Sequence, residues 1–338
     1  MPFSDTRKIS KAQQRTDTEK KIRQKLAVWF KRHGRNLPWR RTRDPYAIMV
    51  SEFMLQQTTV TAVLPYFARW MEKFPTVALL ANAQEPEVFA LWQGLGYYSR
   101  ARNLHRAAKA VMESHRGQIP CEVEALRSLP GVGAYASAAI ASFAFDTVGP
   151  VIDANIARVL ARLKNWRHPI DDARGKSFLT RAAWELLPAK GGRLHNSAVM
   201  ELGALICIAR NPRCSDCPVR QHCLAVDPGS LPVKKPRQQT GNVVEMRAFV
   251  FHRGKLWLEA SAGPRWKGLW LLPVGELAGR LPDHIEIYPI TRYRVTMSLC
   301  AESRGKRELK GFALENLPPM PSPHRRAVAA MLKKGHNH

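Results

Sequence analysis

The amino-acid sequence predicts an α+β protein of several parts, an all-helical domain over residues 19–226 and then a small α/β domain over 243–335. Three observations carry this expectation. Apolar residues recur at helical spacing through the first two thirds of the chain, as in Ile22, Leu26, Trp29 and Phe30, with short breaks such as Phe74-Pro75 and Glu85-Pro86. A proline-rich basic stretch, Asp227 to Arg237, then marks a linker over 227–242. Beyond it the pattern turns to short strands: Val244 to Phe251, Lys255 to Ala260 after an Arg253-Gly254 turn, and Tyr288 to Leu299.

At 338 residues the chain is long enough for two cores. Lys and Arg number 53 against 27 for Asp and Glu, a net charge of +26, which favours a polyanionic partner. The excess is spread: 34 cations against 19 acids precede Gly229, and 19 against 8 follow from it. No apolar run is long enough to span a membrane, and the first twenty residues are polar, so neither a membrane anchor nor a signal peptide is expected. Residues 1–18 read as a disordered basic arm. The expected setting is the cytoplasm, at the nucleoid, and the expected state is a monomer.

Taken in order, the helix over 19–32 leads through Leu37-Pro38-Trp39-Arg40 into an apolar helix, Ala47 to Val60, whose single acid is Glu52. Burial raises a carboxylate's pKa, which suits a general acid at neutral pH. The plainer alternative is a polar helix edge of Ser51, Glu52, Gln56 and Thr59. Next, Gly94 and Gly96 precede Tyr97-Tyr98, with Arg100, Arg102, Asn103, His105 and Arg106 following on a helix. An aromatic ring there can wedge into a base stack while cations hold phosphates, although tyrosines at a helix start also serve as core. His33, His105, His168 and His195 show no metal-ligand spacing and read as surface or satisfied core residues.

Leu129-Pro130-Gly131-Val132-Gly133 separates two stretches that can be helical, because Pro130 and the two glycines cannot sit inside a helix. Glycine lacks a Cβ, so the backbone N–H groups at Gly131 and Gly133 can approach a phosphate closely. The small-residue helix Ala136 to Phe145 then ends before a lone carboxylate among apolar residues, Asp153. A tight turn in a bundle, with Asp153 capping the helix Asn155 to Leu163, is the simplest account of that pattern. On the latter helix Arg158 and Arg162 stand four apart, as on a solvated or phosphate-facing side.

Helices over Phe178–Leu187 and Asn196–Ile206 deliver Cys207, the first of four cysteines spaced Cys-x6-Cys-x2-Cys-x5-Cys: Cys207, Cys214, Cys217 and Cys223. Four thiolates within 17 residues can wrap one centre, zinc or an iron–sulfur cluster, in a reducing compartment. Thiolate chemistry alone leaves both open. His222 could replace one ligand, and Cys121 and Cys300 read as ordinary buried thiols.

Residues 20 to about 225 resemble the catalytic domain of MutY-type adenine DNA glycosylases of the helix-hairpin-helix, endonuclease III superfamily. The matching text is Leu37-Pro38-Trp39, Ser51-Glu52-Phe53-Met54-Leu55-Gln56-Gln57-Thr58, Gly94 to Leu104, Leu129 to Gly133, Asp153-Ala154-Asn155 and the four cysteines. The resemblance implies a [4Fe-4S] cluster on those cysteines and double-stranded DNA carrying a mismatch or lesion as partner. It assigns Glu52 as the acid that protonates a flipped adenine, Asp153 as the carboxylate facing the oxocarbenium ion, and Tyr135 and Asn155 as their catalytic neighbours. Gln57 and Tyr97 match residues beside the orphan base, and Arg40, Arg100, Gly131 and Gly133 are expected at the DNA backbone. Relatives that also cut the strand carry lysine at the position of Tyr135; without that amine no Schiff base forms.

Glycosidic cleavage through an oxocarbenium-like transition state needs one carboxylic acid at the leaving group and one carboxylate facing the cation, roles that fit Glu52 and Asp153. Base flipping explains the basic hairpin and aromatic wedge. Gly263 to Pro273 resembles a turn and strand of the Nudix-like domain that ends MutY-type enzymes, but Val274 to Pro282 lacks the acidic helix a Nudix hydrolase uses for magnesium. Two positions depart from the family. An ungapped reading places Arg294-Val295-Thr296 where many bacterial relatives have a Phe-Ser-His loop that senses 8-oxoguanine, leaving Thr296 as the one hydroxyl there. Ala154 stands where adenine glycosylases usually have glycine, as in thymine–guanine mismatch glycosylases. A thymine or uracil glycosylase is therefore the second reading. A DNA-structure binder without catalysis is the third, and two acids in apolar settings count against it.

Overall fold

The computed structural model describes residues 11–236, 239–290, 292–302 and 308–335, so residues 1–10 of the expected N-terminal arm lie outside the described residues. The chain divides into two compact units, one of Met1–Gln56 with Ala110–Pro236 and one of Gln57–Lys109 with Arg237–His338. The grouping differs from a linear split, because a helical segment from the middle of the first two thirds clusters with the C-terminal sheet. No helix among the described residues is long and apolar enough to cross a membrane.

In chain order the helices are α1 (Lys11–His33), α2 (Pro38–Arg41), α3 (Pro45–Leu55), α4 (Val60–Lys73), α5 (Val77–Asn82), α6 (Glu85–Trp92), α7 (Tyr98–Ser114), α8 (Val123–Ser128), α9 (Ala134–Phe145), α10 (Ala154–Leu163), α11 (Ala173–Leu186) and α12 (Gly192–Leu205). The first of these begins at Lys11, so the part of the expected arm from 11 to 18 is helical. In the first unit α1, α10, α11 and α12 share a core of Ile22, Leu26, Trp29, Ile156, Leu160, Phe178 and Leu202. Helix α3 packs on α9, whose Ala136, Ala139, Ile140 and Ala141 are buried; small side chains let two helix axes approach closely. Helix α10 packs on α12 at Gly203, where a Cβ would lie 2.7 Å from Cβ of Asn155. The expected linker is not free in its first part: the Leu231 carbonyl accepts from Arg162 Nε at 3.0 Å, and the Ile170 N–H donates to the Val233 carbonyl at 3.1 Å.

The second unit carries the sheet: β1 (Gly241–His252), β2 (Lys255–Ala260), β3 (Trp270–Leu271), β4 (His284–Ile290), β5 (Tyr293–Ala301) and β6 (Lys310–Ala313), followed by α13 (Ser322–Lys333). The order is β3-β2-β1-β5-β4, with β6 on β2; β1 and β5 run parallel and the other pairs antiparallel. The run Tyr288–Leu299, expected as one strand, is thus a hairpin. One face packs Phe249, Leu256, Tyr288, Val295, Met297 and Leu299 against Met320, Val328 and Met331.

Candidate active site and cysteine loop

Helix α3 starts at Asp44, whose carboxylate accepts from the N–H groups of Tyr46 (3.0 Å) and Ala47 (3.2 Å), and every residue from Tyr46 to Met54 is buried. Glu52 is therefore carried into the interior by the helix itself and is 5% exposed. Burial pushes its carboxyl up to about 7; the negative charge of Asp153 adds to this, while a hydrogen bond from Tyr135 and the cation of Arg40 oppose it. Tyr135 sits in the first turn of α9, just past the hairpin. Burial and the two carboxylates raise its phenol well above the usual range, so it remains a donor to Glu52.

Asp153 is the N-cap of α10. Its Oδ1 accepts from the Ile156 N–H at 2.7 Å and its Oδ2 from Asn155 Nδ2 at 2.9 Å. Burial raises its pKa, and these donors pull it back toward the charged form. Two neighbouring carboxylates in one dry site disfavour joint ionisation, and the donors at Asp153 bias the negative charge to that side, leaving the proton to Glu52. Asp153 thus caps α10, as the simplest account expected, and lies beside the Glu52 carboxyl.

Below Asn155 lies a network that the sequence did not disclose. Arg158 Nη2 donates to Asn155 Oδ1 (2.8 Å) and the Gly203 carbonyl (2.6 Å), and its Nε donates to the Cys207 carbonyl (2.7 Å). Arg162, 1% exposed, donates to the carbonyls of Cys207 (3.1 Å), Ile208 (2.7 Å), Ala209 (3.1 Å) and Leu231 (3.0 Å), and to Cys207 Sγ at 3.3 Å. The side of α10 expected to meet solvent or phosphate instead clamps the start of the cysteine loop. Helical spacing of cations carries no label for what they face; the neighbouring segment supplies it.

The four cysteines carry free thiols; burial, with the charge of its three neighbours, pushes Cys217 up to about 11, and burial raises Cys223 as well. N–H donors are aimed at the sulfurs, from Val219 at Cys217, Ala225 at Cys223 and Arg162 at Cys207. That donor set suits thiolates held by a cationic centre. Among the described residues no group of His, Cys, Asp and Glu is gathered to hold a single metal ion. Four thiolates in one loop suit a cluster, each of whose corner irons takes one thiolate. Cys121, expected buried, is exposed, whereas Cys300 is buried.

Two of the expected DNA contacts are turned inward. Arg40 Nη2 donates to Oε2 of the fully buried Glu201 at 2.8 Å, a carboxylate that Arg35 also holds with Nε and Nη2 at 2.8 Å each. Arg100, in the second unit, is 6% exposed and donates to the carbonyls of Leu95 (3.0 Å) and Gly96 (3.2 Å) and to Thr58 Oγ1 (3.1 Å), with its guanidinium 5.6 Å from the Tyr97 ring. It braces two backbones in the left-handed region, Gln57 (φ 57°) and Tyr97 (φ 49°). Non-glycine residues held there carry about 1–3 kcal/mol of strain each, as segments poised for a ligand often do. Tyr97 is 49% exposed.

The hairpin is closed by Gly131 at φ 77°, and Gly133 is the N-cap of α9 without a side-chain cap, which leaves first-turn N–H groups open. Thr296, placed by the sequence in a loop, lies within β5, paired with Val244 and Ile287, beside a fully buried Val295. Strand β4 ends at Ile290 and β5 begins at Tyr293, both upstream of the expected position. Glu52, Tyr135, Asp153 and Asn155 thus come together in the first unit, while Gln57, Tyr97, Arg100 and Thr296 belong to the second.

A helical hairpin, two carboxylates in apolar settings and a cysteine loop define a base-excision type of repair fold. Residues 50–188 match the HhH-GPD superfamily of base excision DNA repair proteins, and residues 207–223 match the iron–sulfur binding domain of endonuclease III, which decides between cluster and zinc. The adenine DNA glycosylase of Buchnera aphidicola (subsp. Schizaphis graminum) is 30% identical over 255 residues, 74% of each chain. That of Rattus norvegicus is 44% identical over 218 residues, 60% of this chain and 41% of its own. A thermostable thymine-DNA glycosylase of known structure is 28% identical with a TM-score of 0.55, covering 62% of this chain and 96% of that one. The chain spans about two fifths of the mammalian relatives' length. It belongs to the MutY-type adenine DNA glycosylase family of that superfamily.

Proposed function

We propose that this chain is a monofunctional DNA glycosylase of base-excision repair that removes adenine opposite 8-oxoguanine or guanine from double-stranded DNA, acting as a monomer. The observation that carries the proposal is the Glu52 carboxyl, raised to about 7 and hydrogen-bonded by Tyr135 beside Asp153. A protonated Glu52 donates to the departing base, and Asp153, held by the Ile156 N–H and Asn155, faces the positive charge growing on the sugar. Tyr135 orients the acid and supplies no amine, so the backbone is left uncut.

The open N–H groups at the start of α9 take a DNA phosphate, and Tyr97 with Gln57 fills the stack vacated by the flipped base. The thiolates of Cys207, Cys214, Cys217 and Cys223 hold the [4Fe-4S] cluster, whose contribution when bound is a rigid, positively compensated knot at the end of α12. The C-terminal mixed sheet acts as a Nudix-like domain that reads DNA without hydrolysing nucleotides. Excision assays on duplexes carrying each mismatch, 8-oxoguanine opposite adenine included, test the proposal. Adenine release that is lost in Glu52→Gln and Asp153→Asn, with duplex binding near normal, is expected; robust excision by Glu52→Gln contradicts it.

A second reading, thymine or uracil removal opposite guanine, is favoured by Ala154 and by the likeness to the thymine-DNA glycosylase. The same set of duplexes separates the two.

A further inference from the structure

His195, expected as a surface or satisfied core histidine, is 8% exposed, and its ring nitrogens have no hydrogen-bond partner among the described residues and are not sealed from solvent. It lines a cavity of about 290 Å³ between α1, the turn before α12 and the first turns of α12. Leu26 and Leu194 contribute to an apolar floor, while Lys20, Arg23 and Lys190 stand around it, and no carboxylate is among the lining residues. Lys20 and Lys190 have no ion-pair or hydrogen-bond partner among the described residues, and Arg23 makes one long bond, 3.5 Å to the Leu187 carbonyl. None of Glu52, Tyr135 and Asp153 lines this cavity.

We propose that this cavity is a second binding site, for a free phosphate or phosphomonoester dianion. Three cations around one recess without an acid leave a positive potential that an anion relieves, and low-dielectric walls strengthen that attraction. An unpartnered imidazole supplies a directed N–H, and gains a second one if it takes up a proton beside the dianion. Burial and the charge of Arg23 hold His195 down at about 4, so it is neutral until an anion arrives. The volume sits at the lower end of ligand pockets, roughly 300–1,000 Å³, which suits a small ligand with a modest apolar body. The acid carried by α12 itself, Glu201, is already held by Arg35 and Arg40 at 2.8 Å each.

The test follows the His195 ring nitrogens by NMR in the full, cluster-loaded chain during titration with inorganic phosphate, AMP or undamaged duplex DNA, against sodium chloride at matched ionic strength. Saturable shifts with phosphate or AMP, a raised His195 titration midpoint, and affinity weakened about tenfold in Lys20→Gln/Lys190→Gln support the site, since removing two partly exposed cations takes away roughly that much. Both lysines are surface residues, so the double variant retains the fold, which its melting temperature verifies. An equal response to chloride, a response to duplex DNA alone, or unchanged phosphate affinity in the double variant overturns the proposal.

Discussion

Replacing Glu52 by glutamine should abolish excision and at the same time stabilise the protein above neutral pH. Burial lifts the Glu52 carboxyl from 4.5 to about 7, so the folded state keeps a proton that the unfolded chain has released. The sign follows from which state binds more protons. Below pH 4.5 both states are protonated and nothing is lost; between 4.5 and 7 the native state holds the extra proton, so stability falls as pH rises; above 7 the full penalty is present. A rise from 4.5 to about 7, at about 1.4 kcal/mol per pH unit, amounts to roughly 3–4 kcal/mol.

The amide of the Glu52→Gln variant would still accept from Tyr135 without that penalty. Urea or thermal unfolding of both proteins between pH 5 and 8.5 should therefore show a gap in favour of Glu52→Gln that opens with pH to about 3–4 kcal/mol. Excision by the natural sequence should decline as pH rises through about 7, because the donated proton is lost there. A gap independent of pH, or a variant less stable at pH 8, would refute the assignment of Glu52 as a buried, protonated acid.

Three further outcomes are expected. The chain prepared anaerobically should hold about four irons and absorb visible light, and Arg162→Met, which strips five hydrogen bonds from the cysteine loop and its surroundings, should lower the iron content; a colourless protein with one zinc contradicts this. Borohydride during turnover should trap no covalent DNA adduct, and the abasic strand should break only after hot alkali; a trapped complex would place a lysine at the sugar. The preference for 8-oxoguanine over guanine opposite adenine should be weaker than in relatives with Phe-Ser-His and little changed by Thr296→Ala, since Thr296 is locked in the β5 ladder; a hundredfold preference that this substitution removes would show that Thr296 reads the lesion, given that one good base contact is worth about 1–3 kcal/mol.

Much of the candidate site was legible in the sequence, because its signals are local. One acid in an otherwise apolar helical run, Glu52, is conspicuous through the high expense of burying charge, and proline with two glycines at 130–133 forces a break whatever surrounds it. Four cysteines in 17 residues likewise need no partner elsewhere to declare a shared centre.

Direction, pairing and grouping were decided by tertiary structure. Arg40, Arg100, Arg158 and Arg162 carry the same charge whether they meet phosphate or protein, and it is buried Glu201, the 94–96 turn and the cysteine loop, all distant along the chain or packed from the side, that turn them inward. The β4–β5 hairpin stayed hidden because the sequence between Ile290 and Tyr293 contains no glycine, asparagine or proline; the antiparallel register separates the two strands. Asp153 became part of a site for the same reason: its sequence neighbours specify a helix cap, and only the packing of α3 on α9 and of α10 on α12 brings Glu52 and Tyr135 to it. Local patterns specify which residues cap, break or bury, whereas the partner of each charge depends on contacts between segments that sequence proximity does not encode.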